Sequence, residues 1–401
     1  MSEDTRNQAR RWRSVSGSVL PYGRQTVSDS DIAAVTEVLR SDWLTQGPCI
    51  EEFESKVAER CGAKYAVAVS NGTAALHVAM QSLGLKSGDR LWTSPNTFVA
   101  SANCARFCGA EVDFVDIDPR TYNMSVDALS AKLKSAERDG TLPTVVLPVH
   151  FSGQPCEMAP IAELADQYGF TVVEDASHSI GARYADTTIG DCAHSRLTIF
   201  SFHPVKICTT GEGGMVLTND KDTHQRLVHF RSHAITREQD LLENTSPGSW
   251  YYEQTDLGWN YRITDIQCAL GTSQVSSLDK IIMQRQVVAA KYNELLKGLP
   301  VICPWQHPDA NSAWHLYVIR VLGSGPSRRE VYDQLHAAGV GVQVHYIPVH
   351  LQPYYRRMGF KEGDFPVAES YYESTISLPM FHGLHRSDQI QVVEILKRIL
   401  Q

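Results

Sequence analysis

From about residue 65 to 220 the chain alternates short β-rich runs with helical stretches, and that alternation restricts it to a mainly parallel sheet covered by helices on both faces. The runs are YAVAVS (65–70), RLWTSP (90–95), EVDFVDI (111–117), TVVLPVH (144–150), TVVED (171–175), LTIFSF (197–202) and GMVLTN (214–219). Between them lie TAALHVAMQSL, TFVASANCARF, VDALSAKLKSA and IAELADQYG, which read as helices. Several runs are apolar throughout, as strands buried on both faces are. A helical segment from Thr264 to about Leu296, with Gly271 as its main breaker, leads into a second α/β region. That region holds the expected strands HLYVIRV (315–321) and GVQVHYIPV (341–349), with helices over RREVYDQLHAAG and DQIQVVEILKRIL. A chain of 401 residues exceeds the size at which one core keeps growing. The expectation is an N-terminal arm (1–25), a large domain (26–280) and a smaller C-terminal α/β domain (281–401).

Composition removes several function classes. A net charge of −8 lacks the basic footprint of a general nucleic-acid binder, although a local cluster can still hold an anionic small substrate. The nine cysteines are odd in number and scattered through apolar segments without a C-x-x-C pair, which predicts neither a disulfide framework nor a zinc site. No metal is expected. The N-terminus is polar, with Arg10, Arg11 and Arg13 forming a small basic cluster, and no run approaches eighteen apolar residues. These features predict a cytoplasmic protein.

The segment FSFHPVKICTTGEGGMV (200–216) places Lys206 between an apolar run and a Thr/Gly-rich turn. A lysine held there, partly desolvated, is poised as a free amine nucleophile; a surface turn is the plainer alternative. In VVEDASHS, Asp175 ends a buried strand, and ligands of open α/β sheets lie beyond strand carboxyl ends. It either caps a following helix or faces a pyridinium nitrogen, as pyridoxal 5′-phosphate (PLP) requires. His178 is either a core histidine or a hydrogen-bond partner of the cofactor's phenolic oxygen. SNGTAALHVAM (70–80) runs a strand through a Gly turn into a helix opening at Thr73, and a helix N-terminus suits a phosphate. Ser201 offers the same phosphate a hydroxyl. Phe98 is either core or a stacking partner for a planar ring. No P-loop or dinucleotide fingerprint is present.

In this order, SNGTAALH, PNTFVASAN, VEDASHSIGA, FSFHPVK–TTGEGG and LGWNYRITDIQCALG resemble the DegT/DnrJ/EryC1/StrS family of sugar aminotransferases, over about residues 21–384. The resemblance implies a PLP-dependent transferase of fold type I, like aspartate aminotransferase. It implies Lys206 as the Schiff-base lysine, Asp175 as the pyridinium partner, and His178 near the ring oxygen. Phe98 then stacks on the ring, and Gly72, Thr73 and Ser201 take the phosphate. Asn260 matches an asparagine that reaches the phosphate of the neighbouring subunit's cofactor, which implies a homodimer with shared active sites. PYGRQ (21–25), FRSHAIT (230–236), GVQVHYIP (341–348) and ISLPMF (376–381) look most like members of the pseudaminic acid pathway. For these the implied substrates are L-glutamate and a UDP-linked 4-keto-6-deoxy-N-acetylhexosamine. The implied substrate contacts are Tyr22, Asp42, Trp43, Leu44, Thr45, Ser70, Gln343, Val344, His345 and Tyr346, with Arg231 and Arg262 as candidates for the diphosphate.

Overall fold

The computed structural model describes residues 19–323 and 325–401, so the Arg10, Arg11 and Arg13 cluster lies outside the described residues. All seven β-rich runs become strands of one sheet: β1 (Tyr65–Val69), β2 (Arg90–Thr93), β3 (Glu111–Phe114), β4 (Val145–Leu147), β5 (Thr171–Asp175), β6 (Leu197–Ser201) and β7 (Gly214–Thr218). Their order is β1-β7-β6-β5-β4-β2-β3. The pairs from β6 through β3 are parallel, while β7 runs antiparallel to both β6 and β1. That reversal has a local cause. Antiparallel strands can be joined by a short connection, whereas parallel ones need a long crossover. The twelve-residue link 202–213 between β6 and β7 carries Lys206.

Successive strand residues point to opposite faces, and the two faces bury separate cores. Ala66, Ala68, Val172, Phe200, Met215 and Leu217 pack into one. Val67, Val69, Val173, Ile199 and Val216 pack into the other. Six of the nine cysteines are buried and all nine are free, so they serve as small apolar packing.

The expected helix from Thr264 to Leu296 is two helices, Asp265–Ser276 and Leu278–Leu295, broken at Ser277 rather than at Gly271. Thr264 starts the first with a capping box to Gln267. Gly271 is required for packing, because a Cβ there would sit 2.6 Å from the Phe53 ring. Beyond it, strands β8 (Val301–Ile302), β9 (Tyr317–Val321) and β10 (Thr375–Leu378) form an antiparallel sheet in that order. This sheet and the helices Arg328–Ala337 and Arg386–Leu400 bury a third core.

The 341–349 segment is not the strand its composition suggests. Only Gln343 pairs, with Ser377 of β10. The chain then turns away, and the amide of Tyr346 donates to Asn96 Oδ1 (3.3 Å). A one-residue bridge thus replaces a ladder and delivers His345 and Tyr346 to the mouth of the large sheet.

Candidate active site

The carboxyl ends of β1, β5 and β6 converge on a cleft of about 730 Å³. Of the residues singled out in the sequence, Tyr22, Gly72, Thr73, Phe98, Asp175, His178, Ser201, Lys206, His345 and Tyr346 line it.

Lys206 is set by its turn. Its amide donates to His203 O (2.8 Å), while the Thr210 amide and Thr209 hydroxyl both donate to Phe202 O (3.0 Å each). Desolvation in the cleft lowers its ammonium to about 8, against the opposing pull of the Asp175 carboxylate. Asp175 does not cap a helix, because a turn follows β5. Its Oδ2 accepts from Ser101 Oγ (2.6 Å) and its Oδ1 from the Ser177 amide (3.1 Å). Ser101 Oγ also contacts Thr97 Oγ1 (2.8 Å), so the carboxylate is held from behind by a hydroxyl pair.

The helix after β1 begins at Gly72, one residue earlier than expected, with Asn71 as its cap: Asn71 Oδ1 accepts from the Ala74 amide (2.8 Å). The amides of Gly72 and Thr73 have no acceptor among the described residues and lie at the cleft wall. Ser201 faces them so closely that a Cβ on Gly72 would lie 3.0 Å from Ser201 Cβ and 3.1 Å from its Oγ. Unbonded helix-start amides beside a hydroxyl make a donor set that suits a phosphate. The phosphate cradle, the anchored carboxylate and the amine together fit PLP.

Phe98, also lining the cleft, is 56% exposed and its ring lies 6.3 Å from that of Tyr346. Tyr22 packs against His345 with ring centroids 5.6 Å apart. His345 Nδ1 meets Ser377 Oγ at 2.8 Å, and burial beside the Lys206 charge pushes its imidazolium down to about 3. His178 is buried. Its Nδ1 accepts from the Ser152 amide (3.3 Å) and its Nε2 meets Tyr346 Oη (3.2 Å).

Several expected residues lie outside this cleft. Asn260 is exposed, bridged to Ser232. Asp42, Trp43, Leu44 and Thr45 are exposed too, with Thr45 bridged to Thr264. Ser70 donates its amide to Tyr261 O (2.8 Å), while Gln343 and Val344 sit on the approach to His345. Arg231 is occupied by Glu54 (2.5 Å) and Ala68 O (2.9 Å), and together with Arg262 it lines a different cavity. No motif pointed to Ser101, Ser177, Thr97, His315 and Tyr261, all of which line the cleft. A serine in the first turn of a helix and a histidine two residues before a strand carry no motif of their own.

A model of the DegT/DnrJ/EryC1/StrS aminotransferase family matches residues 25–397. The chain is 38% identical over 387 residues to the spore coat polysaccharide biosynthesis protein SpsC of Bacillus subtilis, covering 95% of this chain and 97% of that one. It is 34% identical over 385 residues to the UDP-4-amino-4,6-dideoxy-N-acetyl-beta-L-altrosamine transaminase of Campylobacter jejuni, covering 96% and 98%. Among solved structures, Helicobacter pylori PseC, described as an aminotransferase involved in the biosynthesis of pseudoaminic acid, matches with a TM-score of 0.85 at 27% identity. That match covers 95% of this chain and 99% of the other.

Proposed function

Since the chain belongs to the DegT/DnrJ/EryC1/StrS aminotransferase family, sugar aminotransferases that depend on PLP and share fold type I, we propose that the Lys206 cleft is its active site. The acceptor we propose is a UDP-linked 4-keto-6-deoxy-N-acetylhexosamine, which receives at C4 the amino group of L-glutamate. The observation that carries the site is the meeting of a lysine lowered to about 8, a carboxylate fixed on both oxygens, and two unbonded helix-start amides. The choice of sugar is supported by the Campylobacter relative and by the segments around Tyr22 and Tyr346.

When bound, PLP supplies an electron sink through which an amino group passes between donor and acceptor. Lys206 Nζ, largely stripped of the cost of shedding its proton, would hold the cofactor and, as a free amine, would move a proton at the reacting carbon as general base and then acid. Asp175, oriented by Ser101 and Ser177, accepts a ring N–H. The Gly72 and Thr73 amides and the Ser201 hydroxyl hold the phosphate, and Phe98 covers the ring. His178, Tyr22, His345 and Tyr346 form the wall against the sugar, which Gln343 and Val344 extend.

Asn260 and Asp42–Thr45 serve, in this reading, the cleft of a second copy in a homodimer, Asn260 at the phosphate and the others, with Ser70, at the sugar. Their position outside their own cleft supports this, as do the exposed Trp43 (54%) and Leu44 (49%). The arm (1–25), large domain (26–280), small domain (281–401) and a cytoplasmic location belong to the same reading; no helix among the described residues is long and apolar enough to cross a membrane.

The test is turnover with L-glutamate and three classes of keto sugar. The UDP-linked N-acetylated 4-keto sugar is expected to be preferred over dTDP- and GDP-linked 4-keto hexoses; preference for either of the latter overturns the substrate. Mixing inactive Lys206→Ala and Asn260→Ala proteins is expected to restore activity through mixed dimers, and absence of rescue removes the shared site.

A further inference from the structure

Backbone amides only donate, so the Ser152 amide on His178 Nδ1 leaves that nitrogen no room for a proton. The ring proton therefore sits on Nε2 and is donated to Tyr346 Oη, 3.2 Å away. The geometry is built in. Ser152 has a positive φ of 64° in the turn Phe151–Gly153, and its hydroxyl is tied to Leu316 O (2.8 Å). A Cβ on Gly153 would lie 2.8 Å from the amides of Trp314 and His315 and 3.1 Å from His178 O, so only glycine lets this turn press against His178. With its oxygen accepting from His178, Tyr346 must aim its own hydroxyl proton elsewhere. No acceptor for it exists among the described residues, and the side chain lines the cleft.

We propose that Tyr346 is a one-way hydrogen-bond donor into the cleft, oriented by the Nε2–H tautomer of His178 as positioning residue. Its ligand is an accepting oxygen, either the cofactor's phenolate or a carbonyl of the sugar substrate. Both nitrogens of His178 are already occupied, so the contact to the cofactor's ring oxygen expected of His178 passes to Tyr346 or is absent. The His315 ring packs 4.3 Å from that of His178, and burial, Lys206 and His345 all lower the pKa of His178 well below the ordinary value. Burial and the nearby Tyr22 and Asp175 raise that of Tyr346, which therefore keeps its proton.

The tautomer stands independently of the proposed function; only the identity of the acceptor rests on that reading. Nitrogen-15 NMR of histidine-labelled protein, with His178→Gln to assign the signal, reads the tautomer directly. Protonated Nε2 with bare Nδ1 is expected, and a proton on Nδ1 overturns the proposal. Equilibrium titrations then use two probes, PLP on the cofactor-free protein and UDP-N-acetylglucosamine on the PLP-loaded protein. Uptake of PLP by the wild type tests the active-site reading itself. Tyr346→Phe is expected to weaken one probe about tenfold, PLP if the acceptor is the cofactor's oxygen and the UDP-sugar if it is the substrate's. His178→Leu reproduces part of that loss but adds nothing in the Tyr346→Phe background, whereas His178→Gln, which can both accept and donate, retains most of the affinity. Unchanged affinity for both probes in Tyr346→Phe, or a full additional loss from His178→Leu in that background, overturns it.

Discussion

A lysine that sheds its proton near pH 8 reacts with electrophiles on a schedule no ordinary lysine follows. Desolvation brings Lys206 down from 10.5 to about 8 while the Asp175 charge pulls it up. At pH 7 such a group is about one-tenth free amine, whereas a lysine at its ordinary value is about 0.03% free. Between pH 7 and 9 its free-amine fraction rises about tenfold and then levels off, while an ordinary lysine rises about a hundredfold and continues upward. Competitive acetylation of the cofactor-free protein with acetic anhydride, quantified by mass spectrometry against Nα-acetyl-lysine, follows this curve. Asp175→Asn deletes the one charge that raises the Lys206 pKa, so its midpoint is expected to fall below that of the wild type. A wild-type midpoint near 10.5, or a midpoint that rises in Asp175→Asn, contradicts a desolvated Lys206 coupled to Asp175.

Gly72→Ala places a methyl 3.0 Å from Ser201 Cβ and displaces its hydroxyl, so the PLP dissociation constant is expected to rise about three- to tenfold with little change in Tm; unchanged affinity contradicts the phosphate cradle. On the far face of β5, buried Glu174 accepts from His150 Nε2 (2.7 Å), Ser195 Oγ (2.5 Å) and Thr198 Oγ1 (3.1 Å). Burial raises its pKa, but these hydrogen bonds and the histidine lower it further, leaving it below the usual carboxylate range. As pH falls the unfolded chain takes up this proton first. The stability from Glu174 is thus full above the ordinary glutamate pKa and is lost as pH drops below it. Glu174→Ala is expected to cost about 3–5 kcal/mol in urea unfolding at pH 7 and to flatten the acid limb; a loss under 1 kcal/mol contradicts the coupling.

The large sheet was legible because its strands are apolar runs separated by helices, and the gathering of Lys206, Asp175, Gly72 and Ser201 in one cleft was legible because such sheets open their clefts beyond strand carboxyl ends. What pattern could not convey is contact between distant segments. Ser101 reaches Asp175 across 74 positions from the first turn of a helix, and Ser152 reaches His178 from a turn with no motif. Residues 341–349 read as a strand by composition, yet β10 offers them one pairing residue before Asn96 draws Tyr346 toward the cleft. The break falls at Ser277, whereas Gly271, the expected breaker, stays inside the first helix, where its missing side chain leaves room for the Phe53 ring. Asn260 and Asp42–Thr45, which only the family resemblance tied to a ligand, lie outside the cleft of their chain.

The most direct measurement is borohydride reduction of the PLP-loaded protein, followed by peptide mapping of the fixed pyridoxyl group. The label is expected on Lys206 and is expected to disappear in Lys206→Ala. Label on any other lysine, or none in a protein that binds PLP, would contradict the assignment of this cleft as the catalytic centre.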